Sequence, residues 1–125
     1  MQRASHVVAL GVLAALALTA AGPADELVKV YVGNRHVAMK PDARVRKGVT
    51  YAPLRAAAEA VGATVKWDAA DRMATICTAD RCVPIRQNQG IMVGGSMMIP
   101  VRLMSEALGR AVTWDPAARA VRIKG

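Results

Sequence analysis

The chain has 125 residues and a formal net charge of +8. Its length suits one small domain preceded by a targeting segment. Hydrophobic residues make up 54% of it, but aromatic residues only 3%, with no Phe, so the core must be aliphatic. The positive charge has two interpretations: it attracts anionic partners, or it only keeps the protein soluble. No basic run alternates with aromatic residues, which argues against a nucleic-acid-binding module.

Residues 1–24 have the pattern of a cleavable signal peptide. A single Arg near the start supplies positive charge, an unbroken apolar run occupies 7–18, and small residues follow it. The run is at the short limit for a membrane-spanning helix, so we expect cleavage after Ala21 or Ala24 rather than a retained anchor. The mature domain would then be 25–125, exported from the cytoplasm and without a transmembrane anchor.

The first predicted element of the mature chain is a hairpin. Strand-like residues 27–32 and 36–39 flank Gly33-Asn34, a dipeptide that favours a tight turn. Further strands are expected at 83–86 and 90–93, and Gly94-Gly95 predicts another turn.

An internal repeat with a spacing of 47 residues organises the rest of the chain. Residues near 48–76 match residues near 95–123 without a gap, which predicts a duplicated supersecondary unit. The recurring motif residues are Pro53, Arg55, Glu59, Gly62, Trp67 and Asp68 in the first copy and Pro100, Arg102, Glu106, Gly109, Trp114 and Asp115 in the second.

Each copy predicts a short helix followed by two strands. The Pro suits the first helical position, and apolar residues follow it at helical spacing. Gly62 and Gly109 stand where a helix needs a left-handed C-terminal residue. Beyond each Gly the apolar period changes to two, which is typical of strands. The fold class is therefore α+β: an antiparallel sheet packed against two short helices, with an internal two-fold repeat of a helix–strand–strand unit.

The motif residues resemble a known family. Tyr51-Ala52-Pro53-Leu54-Arg55, then Glu59-Ala60-Val61-Gly62-Ala63, then Val65-Lys66-Trp67-Asp68 look like the stalk domain named after the copper amine oxidase N-terminal domain. Both copies carry the pattern, with Met98-Ile99 and Arg110 as departures in the second. The resemblance implies an extracytoplasmic bacterial module, often attached to cell-wall or surface proteins. It implies no copper or quinone site, because that site lies in another domain of those oxidases.

The Arg and Glu of each motif lie four residues apart, as Arg55 and Glu59 do, and can pair on one helical face. We expect a structural bridge in each copy, extended to Asp68 or Asp115, rather than a carboxylate-binding Arg. Trp67 and Trp114 alternate with Val residues, so we expect them in the core rather than as ligand-stacking platforms.

Cys77 and Cys82 are expected to form a disulfide across a hairpin, because export allows disulfides and the chain has two Cys. The same register sets core-facing residues opposite one another, Ile76 with Val83 and Ala74 with Ile85. A redox pair and a two-thiolate metal site are alternatives, but the spacing is not Cys-x-x-Cys and no further ligands are near in sequence.

Chemistry beyond binding is poorly supported. Met92, Met97 and Met98 could be taken for a Cu(I) site, but Met also fills aliphatic cores. After signal cleavage His36 is the one imidazole, and Ser96 and Ser105 have no evident base. We expect no enzyme activity and no cofactor.

The sequence thus predicts an exported, non-catalytic binding or structural module of the cell envelope. Its expected partner is an anionic cell-wall polymer or an envelope protein. The alternatives are a small envelope enzyme and a periplasmic metal or redox carrier that uses Met and Cys.

Overall fold

The structure is a computed structural model that describes residues 24–125, so the signal-peptide prediction falls almost entirely outside the described residues. The helices are α1 (Leu54–Ala60) and α2 (Val101–Leu108). The strands are β1 (Glu26–Val32), β2 (Arg35–His36), β3 (Ala43–Arg46), β4 (Val49–Pro53), β5 (Thr64–Asp68), β6 (Met73–Cys77), β7 (Cys82–Arg86), β8 (Ile91–Val93), β9 (Ser96–Pro100), β10 (Val112–Asp115) and β11 (Ala120–Ile123).

These strands form two sheets. The larger has the order β10-β11-β1-β3-β4-β9-β8, with β2 paired to β1, and the smaller has the order β5-β6-β7. The turns predicted at Gly33-Asn34 and Gly94-Gly95 are confirmed, since each separates two paired strands. The α+β class is also confirmed. One pairing departs from the expected antiparallel sheet, because β1 and β11 run parallel, with Val30 opposite Val121.

The predicted equivalence of the two copies is confirmed in element order and register. Val65 pairs with Ile76 in the first copy, and Val112 pairs with Ile123, their equivalents, in the second. The turns between these strands also agree. The Asp68 carboxylate accepts a hydrogen bond from the Asp71 N–H at 3.1 Å, and the Asp115 carboxylate accepts one from the Ala118 N–H at 3.1 Å.

An approximate two-fold axis relates the copies, which we define as β3–β6 and β8–β11. Strands β4 and β9, which are equivalent in the repeat, pair antiparallel with each other at the centre of the larger sheet. Their central pair is Ala52 with Ile99, two residues that the 47-residue spacing makes equivalent. The axis therefore passes through this pair.

The helix ends follow the sequence with one correction. Pro53 and Pro100 are not the first helical residues, as predicted, but the last residues of β4 and β9, with extended backbone angles. Their pairing within the sheet holds them in that conformation, so each helix begins one residue later. Gly62 and Gly109 follow the helices with left-handed φ values of 80° and 65°, as predicted.

The core is aliphatic, as expected from composition. Helix α1 buries Leu54, Ala57 and Ala58, and α2 buries Met104, Ala107 and Leu108. The strands contribute the largest remaining buried side chains, which are Ile76, Ile85, Met98, Ile99, Val121 and Ile123. Among residues 24–125 no polar or charged residue is buried.

The Cys77–Cys82 hairpin has the predicted register, and the two Sγ atoms lie at bonding distance, 2.08 Å apart. Ile76 lies opposite Val83, and Ala74 lies opposite Ile85. Apart from Val83, which is partly exposed, these residues are buried, while the two Cys occupy the outer face. This one register therefore places the apolar side chains on the core side and brings the two Cys into bonding distance.

Candidate binding groove

Trp67 is not in the core, and the prediction that it would be is wrong. Its side chain is 42% exposed. Strand β5 is an edge strand of the smaller sheet, and it pairs on one side with β6 alone. Trp114, the equivalent residue in the second copy, is partly buried and packs against the core, as predicted. The same sequence position therefore has two environments.

The face of β5 that carries Trp67 forms one wall of a groove, which we call the first groove. Helix α1 and the β8–β9 hairpin form its other walls, and its volume is about 440 Å³. The groove lies against α1 at Ala56, a position occupied in α2 by the much larger Leu103. Both this small residue and the indole of Trp67 line the groove.

Two methionines widen the apolar part of the groove. Met92 and Met97 lie directly opposite each other on β8 and β9, and both line the groove. Met92 is 46% exposed, so much of its side chain is accessible. Met98 points to the opposite face of β9 and is fully buried. The three Met residues considered for a Cu(I) site therefore do not share one site.

Charged side chains stand at the rim. Lys40, Arg55 and Glu59 line the first groove beside its apolar wall. The predicted Arg–Glu bridges are absent: among residues 24–125 neither Arg55 with Glu59 nor Arg102 with Glu106 forms an ion pair. All four residues are exposed, so water competes effectively for each pair. The cations remain available to a ligand.

The motif aspartates do not reach these arginines either. Asp68 caps its own turn, and Asp115 caps the equivalent turn and pairs with Arg122 at 3.0 Å. The hydrogen bond from the Ala118 N–H, followed by that from Arg122, lowers the pKa of Asp115. These two carboxylates stabilise turns rather than form part of the groove.

A separate ionic cluster fastens the start of the domain. The Asp25 carboxylate accepts hydrogen bonds from Arg46 at 2.8 and 2.7 Å and from Arg44 at 3.3 Å. The hydrogen bond from Arg46 is the main reason that the pKa of Asp25 falls to about 2. The cluster ties the residue before β1 to β3.

Nothing in the described residues forms a catalytic constellation around the groove. His36 lies on β2, where its ring is 5.4 Å from that of Tyr31. The guanidinium of Arg122 lies over the same Tyr31 ring at 4.8 Å. Residues 24–125 contain no group of three or more His, Cys, Asp or Glu side chains that could hold a metal ion. The arrangement of the first groove is suited to binding.

A model of the copper amine oxidase N-terminal domain matches the chain twice, over residues 31–91 and 82–125. The chain belongs to the copper amine oxidase N-terminal domain family. Domains of this family are generally non-catalytic modules, and the two matches agree with the two copies seen in the sheet register. Neither the search of curated proteins nor that of solved structures found a match to the chain.

The helices of this copper amine oxidase N-terminal domain are short. Within residues 24–125 no helix has both the length and the apolar character that crossing a membrane requires.

Proposed function

We propose that this domain is an exported, non-catalytic module of the cell envelope that binds an anionic wall polymer in the first groove. The observation that carries the proposal is the exposure of Trp67 in a groove whose rim holds Lys40 and Arg55, which form no ion pair within residues 24–125, while Trp114 packs against the core. A scaffold that needed both indoles for stability would cover both.

The chemistry of the groove suits a polymer of sugar rings that carry carboxylate or phosphate groups. An indole face and two thioethers offer an apolar surface to the ring face of a sugar. Arg55 and Lys40 offer positive charge to the anionic group, and the planar fork of Arg can bind it through two hydrogen bonds. Glu59 lies on the same rim.

The overall charge supports the same ligand class. Arg3 is the one charged residue before Ala24, so residues 24–125 keep 16 of the 17 Lys and Arg and all 9 Asp and Glu, a net charge of +7. Such a charge attracts polyanions over distances of about 10 Å at moderate salt. Export is supported by the signal-peptide pattern and by a disulfide, which persists in oxidising compartments.

A second candidate, a Cu(I) carrier, is favoured by the Met92–Met97 pair beside Trp67, because thioethers are soft ligands. Lys40 and Arg55 in the same groove oppose a bound cation. Titration with Cu(I) under reducing conditions separates the two: stoichiometric binding that is lost in Met92→Leu would support the carrier.

Co-sedimentation of the mature chain with isolated cell-wall material tests the leading proposal. We expect binding that weakens steeply as salt rises and that falls at least about tenfold in Trp67→Ala and in Arg55→Ala. Arg86→Ala is the matched control, because Arg86 is exposed and does not line the first groove. Equal losses in Arg55→Ala and Arg86→Ala would show non-specific charge attraction and overturn the assignment of the groove.

A further inference from the structure

A second groove lies on the other side of the two-fold axis. Helix α2 and the β3–β4 hairpin form it, and its volume is about 470 Å³. Tyr51 lines it as an aromatic side chain, and Arg102 and Glu106 line it from α2. Arg102 is exposed and forms no ion pair among the described residues, as is true of Arg55.

The second groove is the symmetry equivalent of the first. Eight of its nine lining positions correspond, at the 47-residue spacing, to positions that line the first groove. Each groove takes its helix from one copy and its hairpin from the other, because the axis through Ala52 and Ile99 exchanges them. The turns of the two hairpins, Lys47-Gly48 and Gly94-Gly95, also agree, with φ values of 50° and 79° against 55° and 82°.

The two grooves differ in how much apolar surface they offer. Leu103 replaces Ala56, and Thr50 replaces Met97, so the second groove lacks the opposed methionine pair. Its aromatic side chain comes from Tyr51 on β4 rather than from the equivalent of Trp67, since Trp114 packs against the core. One aromatic ring and one free Arg are common to both grooves.

We propose that the second groove binds the same class of anionic polymer more weakly, so that one domain holds two segments of one polymer chain. This inference rests on the function proposed for the first groove. Once one groove is occupied, the rest of the polymer is held near the other, and the second contact forms at a high effective concentration. Two modest sites on one domain then give a polymer affinity that neither groove reaches alone.

Calorimetry with trigalacturonate and with long-chain polygalacturonate tests the proposal. These probes combine sugar rings with carboxylates, and they differ in length. For the wild-type chain we expect two trimers bound per domain, the second more weakly. We expect one trimer in Arg102→Ala and one, the weak one, in Arg55→Ala. Arg86→Ala should keep two.

The long probe measures the linkage between the grooves. We expect Arg102→Ala to lower its affinity at least about tenfold while leaving the tighter trimer site unchanged. The affinity of the long probe for the variant is compared with its affinity for the wild type. A long polymer offers many overlapping binding positions even to a single groove, and this comparison cancels that effect. Both Arg residues are exposed, so circular dichroism should show an unchanged fold.

The outcomes separate the two claims. One trimer per domain, with Arg102→Ala equal to wild type for both probes, would overturn the second groove and leave the first intact. Binding of neither probe, together with no retention by cell-wall material, would overturn both.

Discussion

The guanidinium of Arg81 donates a 2.7 Å hydrogen bond to the carbonyl oxygen of Glu106 near the end of α2. Arg81 stands in the turn that the Cys77–Cys82 disulfide closes, and its own carbonyl accepts a hydrogen bond from the Thr78 N–H at 2.8 Å. The disulfide hairpin thus fastens the smaller sheet to the helix of the other copy.

Removing the disulfide should loosen this connection. We expect the double variant Cys77→Ser, Cys82→Ser to lower the free energy of unfolding by about 2 kcal/mol, since the closed loop is short. Urea denaturation of the mature chain with and without reductant measures it. The reductant should destabilise the wild type and leave the double variant unchanged. A wild type indifferent to reductant would show that the thiols are free after export.

The two tryptophans should differ in their contribution to stability. Trp114→Ala should lower the free energy of unfolding by about 2–3 kcal/mol, because the ring packs against the core. Trp67→Ala should lower the free energy of unfolding by less than about 1 kcal/mol, because the side chain lines the groove and is 42% exposed. Denaturation curves of the two variants under one set of conditions make the comparison. Equal losses would place Trp67 in the core after all.

Arg72 should be replaceable by Gly with a gain in stability. It holds a left-handed conformation with φ of 50°, which costs a residue with a Cβ more than it costs Gly. We expect Arg72→Gly to raise the free energy of unfolding by up to about 1 kcal/mol. Arg119 has the same conformation but pairs with Glu26, so Arg119→Gly should gain less. Thermal melting of both variants tests the difference, and a lower melting temperature for Arg72→Gly would contradict it.

Acid should weaken the domain through Asp25. Its pKa is lowered to about 2 in the folded state by the hydrogen bond from Arg46, against an ordinary value of 3.8. A carboxyl group with a lowered folded pKa stabilises the fold fully above its unfolded pKa. That stability is lost as the pH falls through the folded pKa, here between about 4 and 2.

The variant Asp25→Asn isolates this contribution. Its free energy of unfolding should fall less steeply than that of the wild type over the same acid range. A residual slope is expected from Asp115, whose pKa is lowered in the same direction. Parallel slopes for wild type and variant would show that the Arg46 pairing does not stabilise the fold.

Features set by local chemistry were predictable from the sequence. The positive φ of Gly62 and Gly109 follows from helix termination, and the Cys77–Cys82 register follows from the two-residue period of strands. The environment of Trp67 was not predictable, because the two-residue period shows which face of β5 carries Trp67 but not which elements cover that face. The parallel pairing of β1 with β11 joins distant parts of the chain and leaves no periodic signal.

The first groove was hidden for the same reason. Its walls come from α1 and from the β8–β9 hairpin, and the three strands β5, β6 and β7 lie between these elements in the sequence. One signal was present in the sequence: the repeat replaces Leu103 with Ala56 while keeping the Trp. A smaller helix residue in the copy whose Trp is exposed is consistent with a more open groove there.

The pairing of Ala52 with Ile99 has a consequence for the origin of the molecule. A shorter ancestral polypeptide with a single copy would have had its β4 edge unpaired, with a helix but no partner hairpin beside it. Two such polypeptides could pair their β4 edges across the same axis, and the hairpin of each would then lie beside the helix of the other. Gene duplication and fusion would then have turned a symmetric homodimer into one chain, freeing each half to diverge, as the surroundings of Trp67 and Trp114 have.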